Sequence, residues 1–214
     1  MSKKINELQP KALWENFYEL TKIPRPSKKE AKVIEFMKEF GENLKLETIV
    51  DKVGNVIIKK PATKGMENCK TVVLQAHLDM VPQKNEEVEH DFEKDPINAY
   101  VDGEWVTADQ TTLGADNGIG VAAAMAILQA DDIQHPPVEA LFTIDEETGM
   151  TGASGLKPDT LQGDILINMD SEDEGELYIG CAGGIDTNLT FSYTKEKCPE
   201  DYQAYKLTVR KLKG

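Results

Sequence analysis

The sequence predicts an α/β fold, a three-layer sandwich in which helices cover a mixed, largely parallel central sheet. One observation is that stretches with helical spacing of apolar residues alternate with short, continuously apolar stretches typical of buried strands. The other is that acidic residues or a histidine directly follow the predicted strands at 71–76, 138–144 and 165–169. Polar groups gather in this way where the carboxyl ends of parallel strands form a ligand site.

The first predicted elements are two amphipathic helices. Apolar residues at helical spacing predict a helix over residues 11–22, and the two prolines of the segment IPRPS prevent it from continuing. Ser27 and Glu30 have the spacing of a capping box. This pattern predicts a second helix that begins there and ends near Gly41.

Strands and turns predominate after the second helix. The predicted strands are rich in β-branched and apolar residues and are bounded by turn residues; they cover residues 46–50, 56–59, 71–76, 99–101, 104–107, 138–144 and 165–169. Asp102-Gly103 predicts a two-residue hairpin turn. The alanine-rich run at 121–128 predicts a buried helix, and the glycine-punctuated segment at 148–155 predicts a turn.

A second unit is predicted near the end of the sequence. After Gly180 the helical spacing stops, and apolar residues alternate with polar ones at 187–193 and 205–209. This period of two indicates the first strands of an α+β domain. We therefore expect one domain over residues 1–184 and the start of another over residues 185–214.

The composition is that of a globular protein with a strongly acidic surface. Of 214 residues, 40% are hydrophobic and 29% are charged, and the formal net charge is −14. A surface of this charge repels phosphate groups, which argues against nucleic acid or an anionic membrane as a partner. It favours cations.

Two further features predict a cytoplasmic protein. No apolar run approaches the roughly 20 residues of a membrane helix, and the first residues lack the apolar core of a signal peptide. Cys69, Cys181 and Cys198 are odd in number and form no Cys-x-x-Cys pair. We expect free thiols in a reducing compartment rather than disulfides or a zinc–thiolate site.

The segment TVVLQAHLDM places a histidine and a carboxylate at the end of a buried strand. His77 and Asp79 are two residues apart and share one face of an extended chain. A carboxylate there can accept the Nδ1 proton and leave Nε2 free for a cation. The simpler alternative is a strand-end histidine bonded to its neighbour, because His-x-Asp is a short pattern with many chance matches.

Asp116 is the most informative acid in the sequence. It lies in the tightly turned segment GADNG directly before the predicted buried helix, where small residues let the backbone approach other groups closely. A single carboxylate in such a place can bridge two cations about 3.5–4 Å apart, one oxygen to each. The alternative is that Asp116 is the N-cap of the helix.

Three further acids, Glu146, Glu147 and Asp170, follow predicted strands. Adjacent strand residues point in opposite directions, so only a turn brings both glutamates into one cleft. Two carboxylates with different tasks fit a metal ligand beside a general base. Carboxylates crowded at one edge resist ionising unless cations neutralise them, which favours a metal site over the alternative of solvated surface acids.

Four motifs resemble one enzyme family. The segments HLDM, TLGADNGIG, DEETGMTGA and INMDSEDEGELYIGCAGG, in this order, resemble the aminoacyl-histidine dipeptidases of the di-zinc exopeptidase and aminoacylase superfamily. The likeness extends from Leu13 to Gly214. It implies a zinc-exopeptidase-like fold and hydrolysis of Xaa-His dipeptides, with two divalent cations, zinc in the family, as cofactors.

The resemblance also implies the ligands of the metal site. His77 and Asp170 correspond to ligands of one zinc, Glu147 to a ligand of the other, and Asp116 to the bridge between them. A cis peptide bond between Asp116 and Asn117 is implied as well.

Two catalytic roles and a domain arrangement are implied in the same way. Glu146 corresponds to the general base and Asp79 to the partner that orients the histidine ligand. Family members continue into a lid domain and then a returning segment that carries a further histidine ligand. We therefore expect this chain to be an N-terminal fragment, in which residues 1–184 belong to the catalytic domain and residues 185–214 begin the lid. The resemblance leaves room for a homodimer formed through the lid domain in the full-length protein.

Three other functions compete with this interpretation. A related deacylase would use the same metals on N-acyl amino acids. Only the specific residues of the motifs, especially GCAGGID, favour the dipeptidase. A non-catalytic module that kept the scaffold would have no need of Glu146 as a base. A phosphate site at Gly149–Gly155 lacks the Gly-Lys-Ser/Thr of a P-loop, and three acids precede it.

Overall fold

The chain forms two compact units in the computed structural model. They cover Met1–Leu177 and Tyr178–Gly214. The residues that the structure describes are 4–171, 173, 175–180, 188–197, 199–203 and 205–208. The predicted domain boundary at residues 184–185 and two of the predicted thiols, Cys181 and Cys198, lie outside these residues.

Helices and strands alternate along the first unit. After a short 3₁₀ helix, Ile5–Glu7, the α-helices are α1 (Lys11–Thr21), α2 (Ala31–Asn43), α3 (Ala115–Gln129) and α4 (Thr151–Gly155). The strands are β1 (Glu47–Val50), β2 (Val56–Lys60), β3 (Val72–His77), β4 (Ala99–Asp102), β5 (Trp105–Ala108), β6 (Val138–Thr143) and β7 (Ile165–Asn168).

Five of these strands form the central sheet in the order β1-β2-β6-β3-β7. β3 pairs in parallel with β6 and with β7, whereas β2 is antiparallel to both β1 and β6. β2 is therefore the strand that runs against the other four. The predicted α/β fold with a mixed, largely parallel sheet is confirmed.

The hydrophobic core lies between this sheet and helices α1, α2 and α3. Its fully buried side chains come from both layers and include Phe17, Leu20, Val33, Met37, Ile58, Leu78, Met125 and Phe142. On the opposite face of the sheet, Ile57, Val73 and Leu141 form a smaller cluster, covered by Leu156 and Leu161 after α4. All six residues of β6 are buried, including the polar Glu139 and Thr143, because both faces of this strand are covered.

The predicted capping box at the start of α2 is wrong. The helix begins one residue after Glu30, and Glu30 makes no side-chain capping bond. Its Oε1 instead accepts the N–H groups of Lys28, at 2.8 Å, and of Asp145, at 3.1 Å. The Ser27 hydroxyl donates to Asp79 Oδ2 at 2.8 Å. Both side chains therefore bind groups from other parts of the fold, which the local spacing does not reveal.

Two turns also differ in detail from the prediction. The β4–β5 hairpin pairs Asp102 with Trp105, so its two loop residues are Gly103 and Glu104, one position later than predicted. Gly103 adopts the left-handed φ of 60° that such a loop requires. The segment predicted as a simple turn at 148–155 contains α4.

Within the described residues, strand β7 forms an open lateral edge of the sheet. It pairs with β3 on one side, and Ile165, Leu166 and Ile167 are 44%, 56% and 48% exposed. The expectation of a buried strand at these residues is therefore wrong for the described part of the chain. An apolar run specifies burial only when neighbouring elements cover it.

The second unit contains neither helix nor strand among its described residues. The strands predicted at 187–193 and 205–209 are absent at residues 188–193 and 205–208; Thr187 and Val209 lie outside the described residues. Leu189, Phe191 and Tyr193 keep the alternation of a strand, but their side chains are exposed. An alternating pattern forms a strand only when its backbone groups pair with a neighbour.

Two further observations concern membrane-spanning helices and the free thiol. Across the described residues, no helix combines the length and the apolar character needed to cross a lipid bilayer. Cys69 is a free, exposed thiol, as predicted for this cysteine.

Candidate metal centre

The candidate site lies at the edge of the sheet where β3, β6 and β7 end. Across β3 and β6, His77 pairs with Thr143. Across β3 and β7, Gln75 pairs with Asn168, two residues before Asp170. Because these strands are parallel and aligned in register, the acids that follow them leave the sheet next to His77.

Carboxylates surround the outward-facing nitrogen of His77. Its Nε2 atom lies 2.9 Å from Asp116 Oδ1, 3.6 Å from Asp170 Oδ1 and 3.9 Å from Glu146 Oε2. The His77 side chain is only 1% exposed, while those of the three acids are 48%, 26% and 34% exposed, in the same order. The site is therefore a cluster of accessible carboxylates above a buried imidazole.

The inner nitrogen of His77 faces Asp79, as predicted. Its Nδ1 atom lies 3.1 Å from the carbonyl oxygen of Asp79 and 3.3 Å from the carboxylate Oδ1. The sequence predicted the carboxylate as acceptor, whereas the structure offers two oxygens of the same residue. Either acceptor leaves Nε2 directed at the acids.

The carboxylate of Asp79 has a second task that the sequence did not reveal. It is fully buried and accepts the N–H groups of Glu146, at 3.0 Å, and Glu147, at 3.2 Å, as well as the hydroxyl of Ser27. Burial alone would raise the pKa of Asp79, but the bonds from His77 and from these donors lower it to about 2. The carboxylate is therefore ionised at neutral pH, and it holds the turn after β6.

This turn explains how two adjacent glutamates reach one site. β6 ends at Thr143, so Glu146 and Glu147 are free of strand alternation. Both glutamate amides bind Asp79. One carboxylate oxygen of each glutamate and one ring nitrogen of His77 then lie within 4.8 Å of one another. The structure therefore contains the turn after β6 that both glutamates need to enter one cleft.

Asp116 lies in the first turn of α3 with non-helical backbone angles, φ −79° and ψ 115°. Gly114 is the N-cap of α3, in the left-handed region at φ 73°. Asp116 Oδ1 lies 2.9 Å from His77 Nε2, which argues against the alternative that this side chain caps the helix. The peptide bond between Asp116 and Asn117 is cis, as the resemblance implied.

Asn117 is a site residue that the sequence analysis missed. Its buried side-chain amide donates to Asp170 Oδ1 at 2.5 Å and to the carbonyl oxygen of Met169 at 3.1 Å. It therefore holds Asp170 beside His77. Its position next to Asp116 in the GADNG segment was the available signal.

The charges of the cluster favour a bound cation. Burial raises the pKa of Asp116, and the charge of Asp170 raises it further. Burial also raises the pKa values of Glu146 and Glu147. Ionised carboxylates repel one another here, and a divalent cation would relieve that repulsion.

The donor set also fits such a cation. Two groups of potential ligand atoms each lie within 4.8 Å of one another: His77 with Asp116 and Asp170, and His77 with Glu146 and Glu147. An imidazole combined with carboxylates is a set that zinc accepts.

The other two histidines take no part in these groups. His90 packs edge-on against Phe92, with ring centroids 4.4 Å apart. His135 is buried, and its Nδ1 lies 2.8 Å from the carbonyl oxygen of Pro136. Within the described residues, therefore, His77 is the histidine that the candidate site contains.

Comparisons with known proteins identify relatives of this chain. The cytosol non-specific dipeptidase of Escherichia coli (strain K12) is 52% identical over 210 residues, which are 98% of this chain and 43% of that protein. The crystal structure of an aminoacylhistidine dipeptidase from Vibrio alginolyticus matches with a TM-score of 0.82 and 56% identity, over 84% of this chain and 36% of that one. The resemblance to aminoacyl-histidine dipeptidases is thus confirmed.

A more distant structure shows the same fold. Aminopeptidase PepT from Bacillus cereus ATCC 10987 matches with a TM-score of 0.66 and 24% identity, over 78% of this chain and 44% of that one. This chain spans less than half the length of each of these three relatives. Residues 55–204 match the sequence model of peptidase family M28. This range includes every candidate site residue. The chain therefore belongs to peptidase family M28.

Proposed function

We propose that this chain carries the metal site of a metal-dependent dipeptidase that hydrolyses Xaa-His dipeptides. The observation that carries the proposal is the convergence of His77 Nε2 with carboxylate oxygens of Asp116 and Asp170 at the edge of the sheet where β3, β6 and β7 end. The relatives named as dipeptidases support the substrate class.

The proposed ligands of the first ion are the members of one group of donor atoms, and Glu147 belongs to the other group. His77 and Asp170 would hold one zinc ion, and Asp116 would bridge it to a second. Glu147 would bind the second ion. The family resemblance expects one further histidine ligand, which neither His90 nor His135 supplies in this arrangement.

The bound metal ions and the side chains would have different tasks in the reaction. When bound, two divalent cations polarise the scissile carbonyl and lower the pKa of water. Glu146 is the proposed general base, because its carboxylate is accessible and lies 3.9 Å from His77 Nε2. Burial raises the pKa of Glu146, which makes it a better proton acceptor for water and then a donor to the departing amine. Asp79 holds both His77 and the backbone of Glu146 in place.

The remaining features of the whole protein belong to the same proposal. Location in the cytoplasm is supported by the name of the Escherichia coli relative. Residues 1–184 would form part of the catalytic domain and residues 185–214 the start of a lid domain, through which a homodimer would form. The acidic net charge of −14 argues against nucleic acid as a partner.

Calorimetric titration with zinc tests the site directly. We expect binding by the wild-type chain and its loss in Asp170→Ala, which removes one ligand. Asp132→Ala is the control, because this acid is exposed and lies outside both donor groups. Equal binding by all three proteins would exclude the proposed ligands.

Activity assays distinguish the dipeptidase from the deacylase. The zinc-loaded protein is incubated with an Ala-His dipeptide and, separately, with an N-acetyl amino acid. Release of histidine alone supports the proposal, whereas cleavage of only the N-acyl compound favours the deacylase. Zinc binding without either activity favours a non-catalytic role for this chain.

A further inference from the structure

Arg25 is a buried cation that the proposed mechanism does not yet use. It lies in the IPRPS segment between α1 and α2, and only 3% of it is exposed. Burial lowers the pKa of its guanidinium to about 10, against the opposing effect of Asp79, Asp116 and Glu147. Arg25 therefore remains charged at neutral pH, next to the acids of the site. A charged group is held in the interior only when hydrogen bonds compensate its lost hydration.

The guanidinium joins two of the segments that carry proposed metal ligands, those of His77 and Asp116. Its Nη1 donates to the carbonyl oxygen of Leu78 at 2.9 Å and to that of Asp79 at 3.1 Å. Its Nη2 donates to the carbonyl oxygen of Gly114, the N-cap of α3. One side chain thus fastens the chain that follows β3 to the turn that presents Asp116.

The carbonyl of Asp79 connects Arg25 to the imidazole. The same oxygen that accepts from Arg25 lies 3.1 Å from His77 Nδ1. A carbonyl bound in this way cannot turn away from the ring, so it fixes the direction of Nδ1 and, through the ring, of Nε2. Ser27 adds to this arrangement, because its hydroxyl binds the carboxylate of the same aspartate.

The glycines of the GADNG segment leave room for the guanidinium. A Cβ atom at Gly114 would lie 2.6 Å from Arg25 Nη2, and one at Gly118 would lie 2.7 Å from it. Both distances are shorter than any non-bonded contact that a carbon atom tolerates. The segment is therefore built around Arg25 as well as around Asp116.

We propose that Arg25 is a positioning residue that holds the His77 and Asp116 segments together, so that their side chains converge before a metal ion binds. The inference rests on the proposed function, because it assigns Arg25 a task at that metal site. Arginine suits this task, since its planar fork reaches three carbonyls at once, whereas a lysine ammonium is a single point of charge.

The test compares Arg25→Met, Arg25→Lys and the control Lys38→Met in otherwise unchanged protein. Lys38→Met removes one positive charge from the exposed surface of α2. Co²⁺ is the probe, because its visible spectrum reports ligand geometry while its titration reports affinity. All measurements are made at a temperature where circular dichroism shows each variant folded. Under that condition, a side chain that merely stabilises the fold would change neither affinity nor spectrum.

We expect Arg25→Met to bind Co²⁺ about 10–100-fold more weakly with a changed spectrum, the usual effect of removing a group that orients ligands. Arg25→Lys should recover part of the affinity, and Lys38→Met should match the wild type. If Arg25→Met does not fold, Gly118→Ala replaces it, because its Cβ displaces the guanidinium and keeps the charge.

Two outcomes would overturn the inference and are distinguishable. Folded Arg25 variants with wild-type affinity and spectrum show that Arg25 only supports the fold, while the proposed metal site stands. A wild-type protein that binds no Co²⁺, or binds it equally well after Asp170→Ala, removes the proposed function and the inference with it.

Discussion

The Nδ1 atom of His77 lies 3.1 Å from the carbonyl oxygen of Asp79 and 3.3 Å from its carboxylate. That carboxylate also accepts the amides of Glu146 and Glu147. Asp79 therefore links the end of β3 to the turn after β6. The distance between the imidazole and the two glutamates depends on this one side chain.

Replacing Asp79 by asparagine should reduce stability in a pH-dependent way. The folded-state pKa is about 2, below the ordinary value of 3.8, so the ionised carboxylate stabilises the fold above about pH 4. This contribution, roughly 2 kcal/mol, is lost as the pH falls from about 4 to 2. Urea unfolding of the metal-free Asp79→Asn protein should differ from wild type at pH 6 and much less at pH 2.5.

The control for this measurement is Asp132→Asn, a change at an exposed acid. It should leave the free energy of unfolding unchanged at both pH values. A stability difference for Asp79→Asn that stays constant with pH would show that the carboxylate charge contributes nothing.

Zinc binding should release about one proton near neutral pH. Burial alone would lower the pKa of His77, but Asp170 and Asp79 raise it to about 10 in the metal-free protein. The ring is then an imidazolium at pH 7 and must lose its Nε2 proton before it can bind zinc. Affinity should therefore rise about tenfold per pH unit between pH 7 and 9.

Calorimetry in PIPES and in HEPES measures the proton count, because the two buffers bind zinc weakly and differ in ionisation enthalpy. His90→Gln is the matched control, since His90 lies outside the donor groups. It should release the same number of protons as the wild type. An apparent binding enthalpy that does not change with the buffer contradicts the imidazolium assignment.

The sequence predicted the sheet and the acids at its edge because both depend on local patterns. Apolar runs specify β3 and β6, and the residues that follow each run are fixed by chain continuity. The convergence of His77, Glu146 and Asp170 is then expected from parallel strands that end together, whereas Asp116 comes from the first turn of α3. Their finer roles rest on the family resemblance and stay predictions.

The supporting contacts could not be predicted in the same way, because they join distant parts of the chain. Ser27 lies 52 residues from the carboxylate it binds, and Arg25 lies 89 residues from Gly114. The spacing of Ser27 and Glu30 suggested a helix cap, but tertiary partners compete successfully for both side chains. The exposed edge of β7 was missed because an apolar run carries no information about its neighbours.

Gly120→Ala should weaken both the fold and the metal site. A Cβ atom at this position would lie 2.0 Å from Asn117 Oδ1 and 3.0 Å from the carbonyl oxygen of Met169. Alanine favours a helix interior by about 1 kcal/mol over glycine. Overpacking costs about 1–3 kcal/mol, so we expect a net loss of stability. Asn117 must also move, which releases its 2.5 Å bond to Asp170.

Thermal unfolding and zinc titration of Gly120→Ala measure the two effects separately. Gly180→Ala is the control, because no atom of the described residues lies within 4 Å of a Cβ placed there. Unchanged zinc affinity in a destabilised Gly120→Ala protein would mean that Asn117 does not position Asp170.

Glu146→Gln, made in the full-length protein, should separate metal binding from catalysis. Glutamine keeps the size of the side chain and the backbone N–H bond to Asp79, but it cannot accept a proton from water. Since a general base contributes about 10²–10⁴-fold, kcat should fall by that factor while zinc affinity changes little. Glu86→Gln, in the exposed loop before His90, is the control and should retain full activity. Loss of zinc binding in Glu146→Gln would instead identify Glu146 as a ligand, and Glu147 would become the candidate base. Intact turnover would show that Glu146 is not the base.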